Sequence, residues 1–210
     1  MQIRAVIFDY GMVLSGPPDT SIQQELVHLS GLPHAQAEAL YRKYRRAYDQ
    51  GILSGVEYWQ QIFADAGIQK TSAEIAHMAA LDARMWTTHD PALLQWQKQL
   101  KQSGLKTAIL SNIGDVVKES IVRTFSWIQN FDVLIWSYEH KLLKPDPAIY
   151  RLALDRLHTS PAETLFIDDI EENIQAARVL GIHAILYSSA SRLREQLMAC
   201  EMAHALPLPA

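Results

Sequence analysis

The stretch Ala5-Val6-Ile7-Phe8-Asp9, near the N-terminus, places four apolar residues directly before a carboxylate. The apolar residues do not alternate with polar ones, which is typical of a strand buried on both faces of a parallel sheet. Four later runs have the same character: Thr107 to Leu110, Val133 to Trp136, Thr164 to Ile167 and Ala184 to Tyr187. The sequence therefore predicts five short strands.

Helical segments are expected between these strands. Asp90-Pro91 and Asp146-Pro147 each offer an N-cap residue followed by proline at the first helical position. Ser160-Pro161-Ala162-Glu163 has the spacing of a capping box, and the stretch from Glu172 to Leu180 is helix-like. Strands that alternate with helices predict an α/β fold built on a doubly wound, Rossmann-like parallel sheet.

The stretch from about residue 15 to residue 86 has no strand-like run. Four segments in it are predicted to be helical: Ser21 to Leu29, Pro33 to Tyr48, Ser54 to Ala66 and Thr71 to Trp86. The last begins with Thr71-Ser72-Ala73-Glu74, which has capping-box spacing. We therefore expect a helical cap domain at residues 15–86, inserted into an α/β core domain formed by residues 1–14 and 87–210.

Polar side chains follow the predicted strands. Asp9 follows the first, Ser111-Asn112 the second and Asp168-Asp169 the fourth, and the loop after the third carries Lys144. Ligands bind outside the carboxyl ends of the strands in an open parallel sheet. Each of these residues is individually an ordinary turn or cap residue, but their recurrence at four successive strand ends favours a shared site.

These residues resemble, in order and spacing, the four motifs of the haloacid dehalogenase-like hydrolase superfamily. The motifs are Val6 to Leu14, Ile109 to Asn112, Lys144 to Tyr150, and Leu165 to Asn173. The last two look like those of the phosphatase domain of soluble epoxide hydrolases and of bacterial sugar-phosphate phosphatases. Tyr48-Asp49-Gln50-Gly51 and Tyr58-Trp59 look like the helical cap of that subgroup.

The resemblance implies a Mg²⁺-dependent phosphatase that acts on a small phosphorylated molecule through an aspartyl-phosphate. Asp9 would be the nucleophile, because a covalent intermediate divides one difficult step into two easier ones. Mg²⁺ prefers oxygen ligands and would bridge the carboxylate and the phosphate. The implied metal site consists of Asp9, the Gly11 carbonyl, Asp169 and Asp168, of which Asp168 would hold metal-bound water or orient Lys144.

The remaining implied roles concern the phosphate and the rest of the substrate. Lys144 would neutralise negative charge, Ser111 and Asn112 would donate hydrogen bonds to the transferring group, and Asn173 would support the metal site. Of the cap arginines, Arg45 is the candidate for substrate binding, whereas Arg42 and Arg46 are expected to be solvated. Three tryptophans are expected in the core: Trp59, Trp86 and Trp96.

One position departs from the superfamily pattern. Most phosphatases of this kind carry a second aspartate two residues after the nucleophile, where this chain has Gly11. That aspartate protonates the leaving group and then activates water, a contribution of typically ~10²–10⁴-fold. A good leaving group or another acid would have to compensate. Met12 and Lys141 also stand at positions where glycine is usual.

Two other functions remain open at this point. One is a non-catalytic phosphate-binding or regulatory protein with the same fold. The other is a metal-independent haloacid dehalogenase, although Asp168 and Asp169 would repel both an ionised nucleophile and an anionic substrate. Phosphate release stimulated by Mg²⁺ separates the first function from a phosphatase, and halide release without metal identifies the second.

Composition limits the partners. The 210 residues carry a formal net charge of −4, and no clustered basic stretch suggests a nucleic-acid partner. No apolar run is long enough for a membrane span. Cys200 is the single cysteine, which excludes an intramolecular disulfide. We therefore expect a cytoplasmic protein, as a monomer or homodimer, with residues 205–210 as a loose C-terminal tail.

Overall fold

A computed structural model describes residues 2–200 and 206–209, and its centre is a five-stranded sheet. The strands are β1 (Ala5–Phe8), β2 (Lys106–Ser111), β3 (Val133–Trp136), β4 (Thr164–Asp168) and β5 (His183–Leu186). All neighbours pair in parallel, in the order β3-β2-β1-β4-β5. The predicted strands and the Rossmann-like α/β fold are confirmed.

Alternate residues of each strand face opposite sides of the sheet and belong to two separate cores. In β1, Val6 and Phe8 pack in one core while Ala5 and Ile7 pack in the other. All four are fully buried, as expected of a strand covered on both faces. Because β1 is the central strand of the sheet, Asp9 leaves the sheet at the middle of its carboxyl edge.

Helices cover both faces, and several begin at the predicted caps. α5 (Pro91–Gln102) is capped by Asp90, α8 (Pro147–Leu157) is capped by Asp146, and α9 spans Glu171–Val179. Three further helices are not predicted from the sequence: α6 (Asp115–Thr124), α7 (Ser137–His140) and α10 (Ala190–Ala199), although Ser189 caps α10. The residue at the N-cap of α6 is Gly114, which has no side chain to act as a cap.

The four predicted helices between β1 and α5 are present. They are α1 (Thr20–Ser30), α2 (His34–Asp49), α3 (Gly55–Asp65) and α4 (Ser72–Arg84). Capping boxes open α3 and α4, and Thr71 and Glu74 form the predicted one. We refer to α1–α4 as the helical insert.

The end of α2 rests on loops that follow β2 and β3. Ser137 Oγ donates a 2.5 Å hydrogen bond to the Asp49 carbonyl, and the Gly55 N–H donates to Asp115 Oδ1 at 2.9 Å. The Tyr48 ring packs directly on Gly114 and stacks on Tyr58 with ring centroids 4.9 Å apart. These contacts fix the end of α2 over the carboxyl edge of the sheet.

The C-terminal prediction is wrong for the described part of the tail. Leu206 is buried, and Trp96 Nε1 donates a 2.6 Å hydrogen bond to the Pro207 carbonyl. The proline-rich composition of the tail suggested a loose segment. Composition does not reveal that the buried indole N–H of Trp96 needs a hydrogen-bond acceptor, which the tail provides. Ala205 and Ala210 lie outside the described residues.

Within the described part of the chain, no helix has the length and apolar character needed to cross a membrane.

The contact between Gly114 and Tyr48 predicts a cost for any side chain at position 114. A Cβ there would lie 2.1 Å from the Tyr48 ring, and that ring is buried and cannot move away freely. Gly114→Ala should therefore lower the free energy of unfolding by about 1–3 kcal/mol, as overpacking commonly does. Chemical denaturation measures the change.

Tyr48→Ala provides the control background. Because the clash partner is then absent, adding Gly114→Ala should cost less than about 0.5 kcal/mol in that background. A Gly114→Ala protein as stable as wild type would show that the close contact between Tyr48 and Gly114 does not hold the helical insert in place.

Candidate active site

The loops after the strands enclose a cavity of about 220 Å³ at the carboxyl edge of the sheet. Most of the site residues predicted from the motifs line it: Asp9, Gly11, Ser111, Asn112, Lys144 and Asn173. The helical insert contributes Arg45 and Asp49, and Trp86 follows the insert. The structure thus brings residues from β1, β2, the loop after β3 and the insert to one place.

Lys144 links the carboxylates that follow β1 and end β4. Its Nζ atom lies 2.8 Å from Asp9 Oδ1 and 2.6 Å from Asp168 Oδ2. All three side chains are almost completely buried. Burial lowers the pKa of Lys144, but the charges of Asp9 and Asp168 outweigh that effect and raise it above its ordinary value. The lysine is therefore an ammonium shared by two buried carboxylates.

The Asp9 side chain is oriented by its own loop as well as by Lys144. The Tyr10 N–H donates a 2.7 Å hydrogen bond to Asp9 Oδ1. Oδ2 accepts no hydrogen bond from the described residues, so it is available to a ligand. Burial raises the pKa of Asp9 to about 7, with Lys144 opposing the shift and Asp168 adding to it. A cation at this place would favour the ionised carboxylate.

Asp168 is saturated with hydrogen bonds inside the protein. Besides Lys144, the Ile170 N–H donates to Oδ1 at 2.8 Å, and Asn173 Nδ2 lies 3.1 Å from both oxygens. Of the two roles expected of Asp168, the geometry favours orientation of Lys144. Asn173 supports the site by holding Asp168.

Asp169 completes a group of three carboxylates. One oxygen each from Asp9, Asp168 and Asp169 lie within 4.8 Å of one another. Burial raises the pKa of Asp169, and the neighbouring Asp168 charge raises it further. When ionised, three carboxylates and one ammonium carry a net charge of −2. A divalent cation with oxygen ligands fits both this charge and this donor set.

Asn112 lines the cavity and also holds the backbone of Lys144. Its Nδ2 donates to the Lys144 carbonyl at 2.9 Å, and its Oδ1 accepts from the Lys144 N–H at 2.8 Å. The amide therefore clamps the backbone of the lysine, 32 residues away in the sequence. Its second Nδ2 hydrogen is the part of the side chain still available to a ligand. Ser111 lines the cavity directly.

The loop at Gly11 has room for a side chain. Gly11 has φ −63° and ψ 133°, and a Cβ there would be 3.7 Å from the Trp86 ring, an ordinary contact. Backbone strain lies instead at Met12 and Lys141, which both have φ 58°. Glycine is the residue that adopts this region at no steric cost. The missing aspartate is therefore not excluded by the shape of the loop.

The burial expected of two tryptophans and the exposure expected of two cap arginines are confirmed. Trp59 and Trp96 are buried, and Arg42 and Arg46 are exposed. Trp86 is half-buried: it packs against the core, as expected, and it also lines the cavity. The sequence alone did not indicate this second contact.

Arg45 is held in place before any ligand arrives. Its Nε lies 2.9 Å from both carboxylate oxygens of Asp49, and its Nη1 donates to the Tyr41 hydroxyl at 2.7 Å. The sequence predicts a site role for Arg45, whereas the role of Asp49 becomes apparent only in the structure. The signal that could have indicated Asp49 is its i,i+4 spacing from Arg45, which places both residues on the same face of α2.

Solved structures of similar fold include an enzyme with bound phosphate and a haloacid dehalogenase. A HAD family enzyme from Bacteroides thetaiotaomicron, in complex with magnesium and inorganic phosphate, has a TM-score of 0.69 and 21% identity, covering 89% of this chain and 94% of that one. An L-2-haloacid dehalogenase from Xanthobacter autotrophicus, with chloropropionic acid covalently bound, has a TM-score of 0.66 and 21% identity, covering 96% and 84%. At these identities the likeness shows a shared fold.

Curated relatives are more similar in sequence. Acyl-CoA dehydrogenase family member 10 from Mus musculus is 31% identical over 193 residues, which make up 87% of this chain and 18% of that protein. Bifunctional epoxide hydrolase 2 from Rattus norvegicus is 38% identical over 108 residues, or 49% of this chain and 20% of that protein. The chain thus spans about a fifth of the length of these two relatives.

A family model covers most of the chain, from residue 3 to residue 181, including every predicted strand-end residue. Together with the parallel sheet and the site at its carboxyl edge, this match shows that the chain belongs to the haloacid dehalogenase-like hydrolases.

Proposed function

We propose that this chain is a Mg²⁺-dependent phosphatase that hydrolyses a small phosphomonoester through an aspartyl-phosphate on Asp9. The observation that carries the proposal is the cluster of Asp9, Asp168 and Asp169, of which the first two are paired with Lys144. This cluster would repel a phosphate dianion unless a cation were present. The magnesium and phosphate bound by the Bacteroides thetaiotaomicron enzyme of similar fold support the same chemistry.

Asp169, Asp9 and the Gly11 carbonyl would hold the cation, with Asp168 beside them. When bound, Mg²⁺ would neutralise charge on the phosphate oxygens and make the phosphorus atom more electrophilic. Asp9 Oδ2 would attack phosphorus, because Oδ1 is engaged by Lys144 and the Tyr10 N–H. Lys144 would screen the repulsion between Asp9 and the incoming phosphate, and Ser111 and Asn112 would donate hydrogen bonds to its oxygens.

The helical insert would act as the cap in this proposal. Residues 15–86 would form the cap domain over an α/β core of residues 1–14 and 87–210. Arg45 and Trp86 line the cavity from the cap side, so they would contact the part of the substrate beyond the phosphate. The cavity volume of about 220 Å³ suits a small phosphomonoester.

A dehalogenase is the second candidate, favoured by the similarity to the Xanthobacter autotrophicus enzyme. In that reaction Asp9 would attack carbon and displace halide without a metal. The carboxylate cluster counts against it, since two further carboxylates beside the nucleophile would repel a haloacid anion. We therefore rank it below the phosphatase, and halide release in the presence of a chelator would reverse the order.

Asp9→Asn should abolish phosphate release while the protein stays folded. Asparagine has nearly the size of aspartate but is a poor nucleophile. We expect wild type to release phosphate from one or more small phosphomonoesters only with Mg²⁺, and the variant to release none. The measurement is a phosphate-release screen, with circular dichroism as the check on folding. Wild-type-like release by a folded Asp9→Asn protein would refute the covalent mechanism.

Asp169→Ala should weaken Mg²⁺ binding severely, because it removes a ligand and a negative charge from a site for a hard cation. Isothermal titration of the protein with Mg²⁺ measures the affinity. Asp155→Ala is the matched control, since Asp155 is an exposed carboxylate on α8. Equal Mg²⁺ affinities for wild type and Asp169→Ala would remove Asp169 from the metal site.

A further inference from the structure

The proposed reaction needs a proton donor that position 11 does not provide. An alkoxide leaving group must be protonated as it departs, and the attacking water must lose a proton in the second step. Gly11 has no side chain that could do either. A group elsewhere in the cavity must supply this function if alkyl phosphates are substrates.

Asp49 lies in the same cavity as Asp9 but comes from the opposite side. It is the last residue of α2, whereas Asp9 follows β1. Its backbone carbonyl accepts the 2.5 Å hydrogen bond from Ser137, the residue that directly follows β3. The core of the protein thus fixes the position of this insert residue over the site.

Two opposing influences act on the Asp49 carboxyl group: Arg45 Nε lies 2.9 Å from both of its oxygens and favours the ionised form, whereas burial favours the neutral form. Burial raises the pKa of Asp49 above its ordinary value, although Arg45 opposes the shift. Its place at the C-terminus of the 16-residue α2 acts in the same direction as burial, because the negative end of a helix disfavours a carboxylate. A phosphate dianion entering the cavity would add like charge and favour the protonated form further.

The other titratable groups that line this cavity are poorly placed for the task. The Tyr10 hydroxyl donates to the Trp86 carbonyl at 2.9 Å, and burial raises its pKa well above the usual range. Lys144 is held between two carboxylates, and a guanidinium such as that of Arg45 does not release its proton in proteins. Asp9 is the nucleophile itself. Asp49 remains.

We propose that Asp49 is the general acid and base of this site, replacing the aspartate absent from position 11. The inference rests on the proposed phosphatase function. In the first step Asp9 attacks phosphorus, the bond from phosphorus to the ester oxygen breaks, and protonated Asp49 gives its proton to that oxygen, which releases the alcohol. In the second step water attacks phosphorus and transfers a proton to the Asp49 carboxylate, and the bond between phosphorus and the Asp9 oxygen breaks. Hydrogen phosphate leaves, and ionised Asp9 and protonated Asp49 are regenerated.

Leaving groups of different acidity test this role. The substrates are an aryl phosphate with an acidic phenol, 4-nitrophenyl phosphate, and a simple alkyl phosphate, assayed with Mg²⁺ on the full chain. An acidic phenol departs without a proton, whereas an alcohol requires one. Asp49→Asn should therefore lower kcat/KM for the alkyl phosphate by about 10²–10⁴-fold. The loss for the aryl phosphate should be less than about tenfold.

The ratio of the two kcat/KM values is the readout, because it does not depend on how much of a preparation is folded. Asp49→Glu keeps the carboxyl group and should restore part of the alkyl-phosphate rate. Asp65→Asn is the matched control, since that insert carboxylate pairs with Lys43 at 2.6 Å and does not line the cavity. It should leave the ratio unchanged.

Three outcomes would overturn the assignment. Equal losses on both substrates would mean that Asp49 only positions Arg45 or the substrate. An unchanged ratio with wild-type rates would show that Asp49 takes no part in the reaction. If wild type released phosphate from neither ester nor from any other phosphomonoester, the proposed function itself would fail. That last result differs from the first two because it appears before any substitution is made.

Discussion

The buried ammonium of Lys144, held between Asp9 and Asp168, is the interaction on which the site depends. Two carboxylates this deeply buried would be very costly without a counter-charge, and removing one partner of such a group typically costs about 3–5 kcal/mol. Lys144 is in turn fixed at its backbone by Asn112. The same ion group therefore joins the loops after β1, β2, β3 and β4, and it leaves one oxygen of Asp9 to act on a ligand.

The sheet order explains why the charges meet. β1 is central, with β2 and β4 on either side, so Asp9 leaves the sheet between the residues contributed by its two neighbours. The helical insert lines the cavity with Arg45 and Asp49, and the hydrogen bond from Ser137 to the Asp49 carbonyl holds the end of α2 there. Asp49, which is 40 residues from Asp9 in the sequence, thus lines the same cavity. In the reaction proposed above, this carboxylate supplies the acid that position 11 lacks.

Local pattern was enough to predict the strands, the capped helices and the polar residues at strand ends, because each depends on neighbours in sequence. Helix α6 was not predicted, because its N-cap residue is Gly114, which has no side chain to form a capping hydrogen bond. The clamp of Asn112 on Lys144 depends on tertiary structure, and so do the positions of Asp49 and Trp86 in the cavity. The i,i+4 spacing of Arg45 and Asp49 indicates their pairing but not where the pair lies. The buried tail at Leu206 was missed for the same reason, since its partner Trp96 lies in α5.

The central claim is that a phosphoryl group becomes bonded to Asp9 during turnover. Borohydride reduces an acyl phosphate to an alcohol, so an aspartyl-phosphate trapped in this way becomes homoserine. Wild type mixed with Mg²⁺ and a substrate that it hydrolyses, quenched with borohydride and digested, can be examined by mass spectrometry of the peptide that contains position 9. The account predicts homoserine at position 9, and only when substrate is present. Phosphate release with unmodified aspartate at position 9, and homoserine at another aspartate, would contradict it.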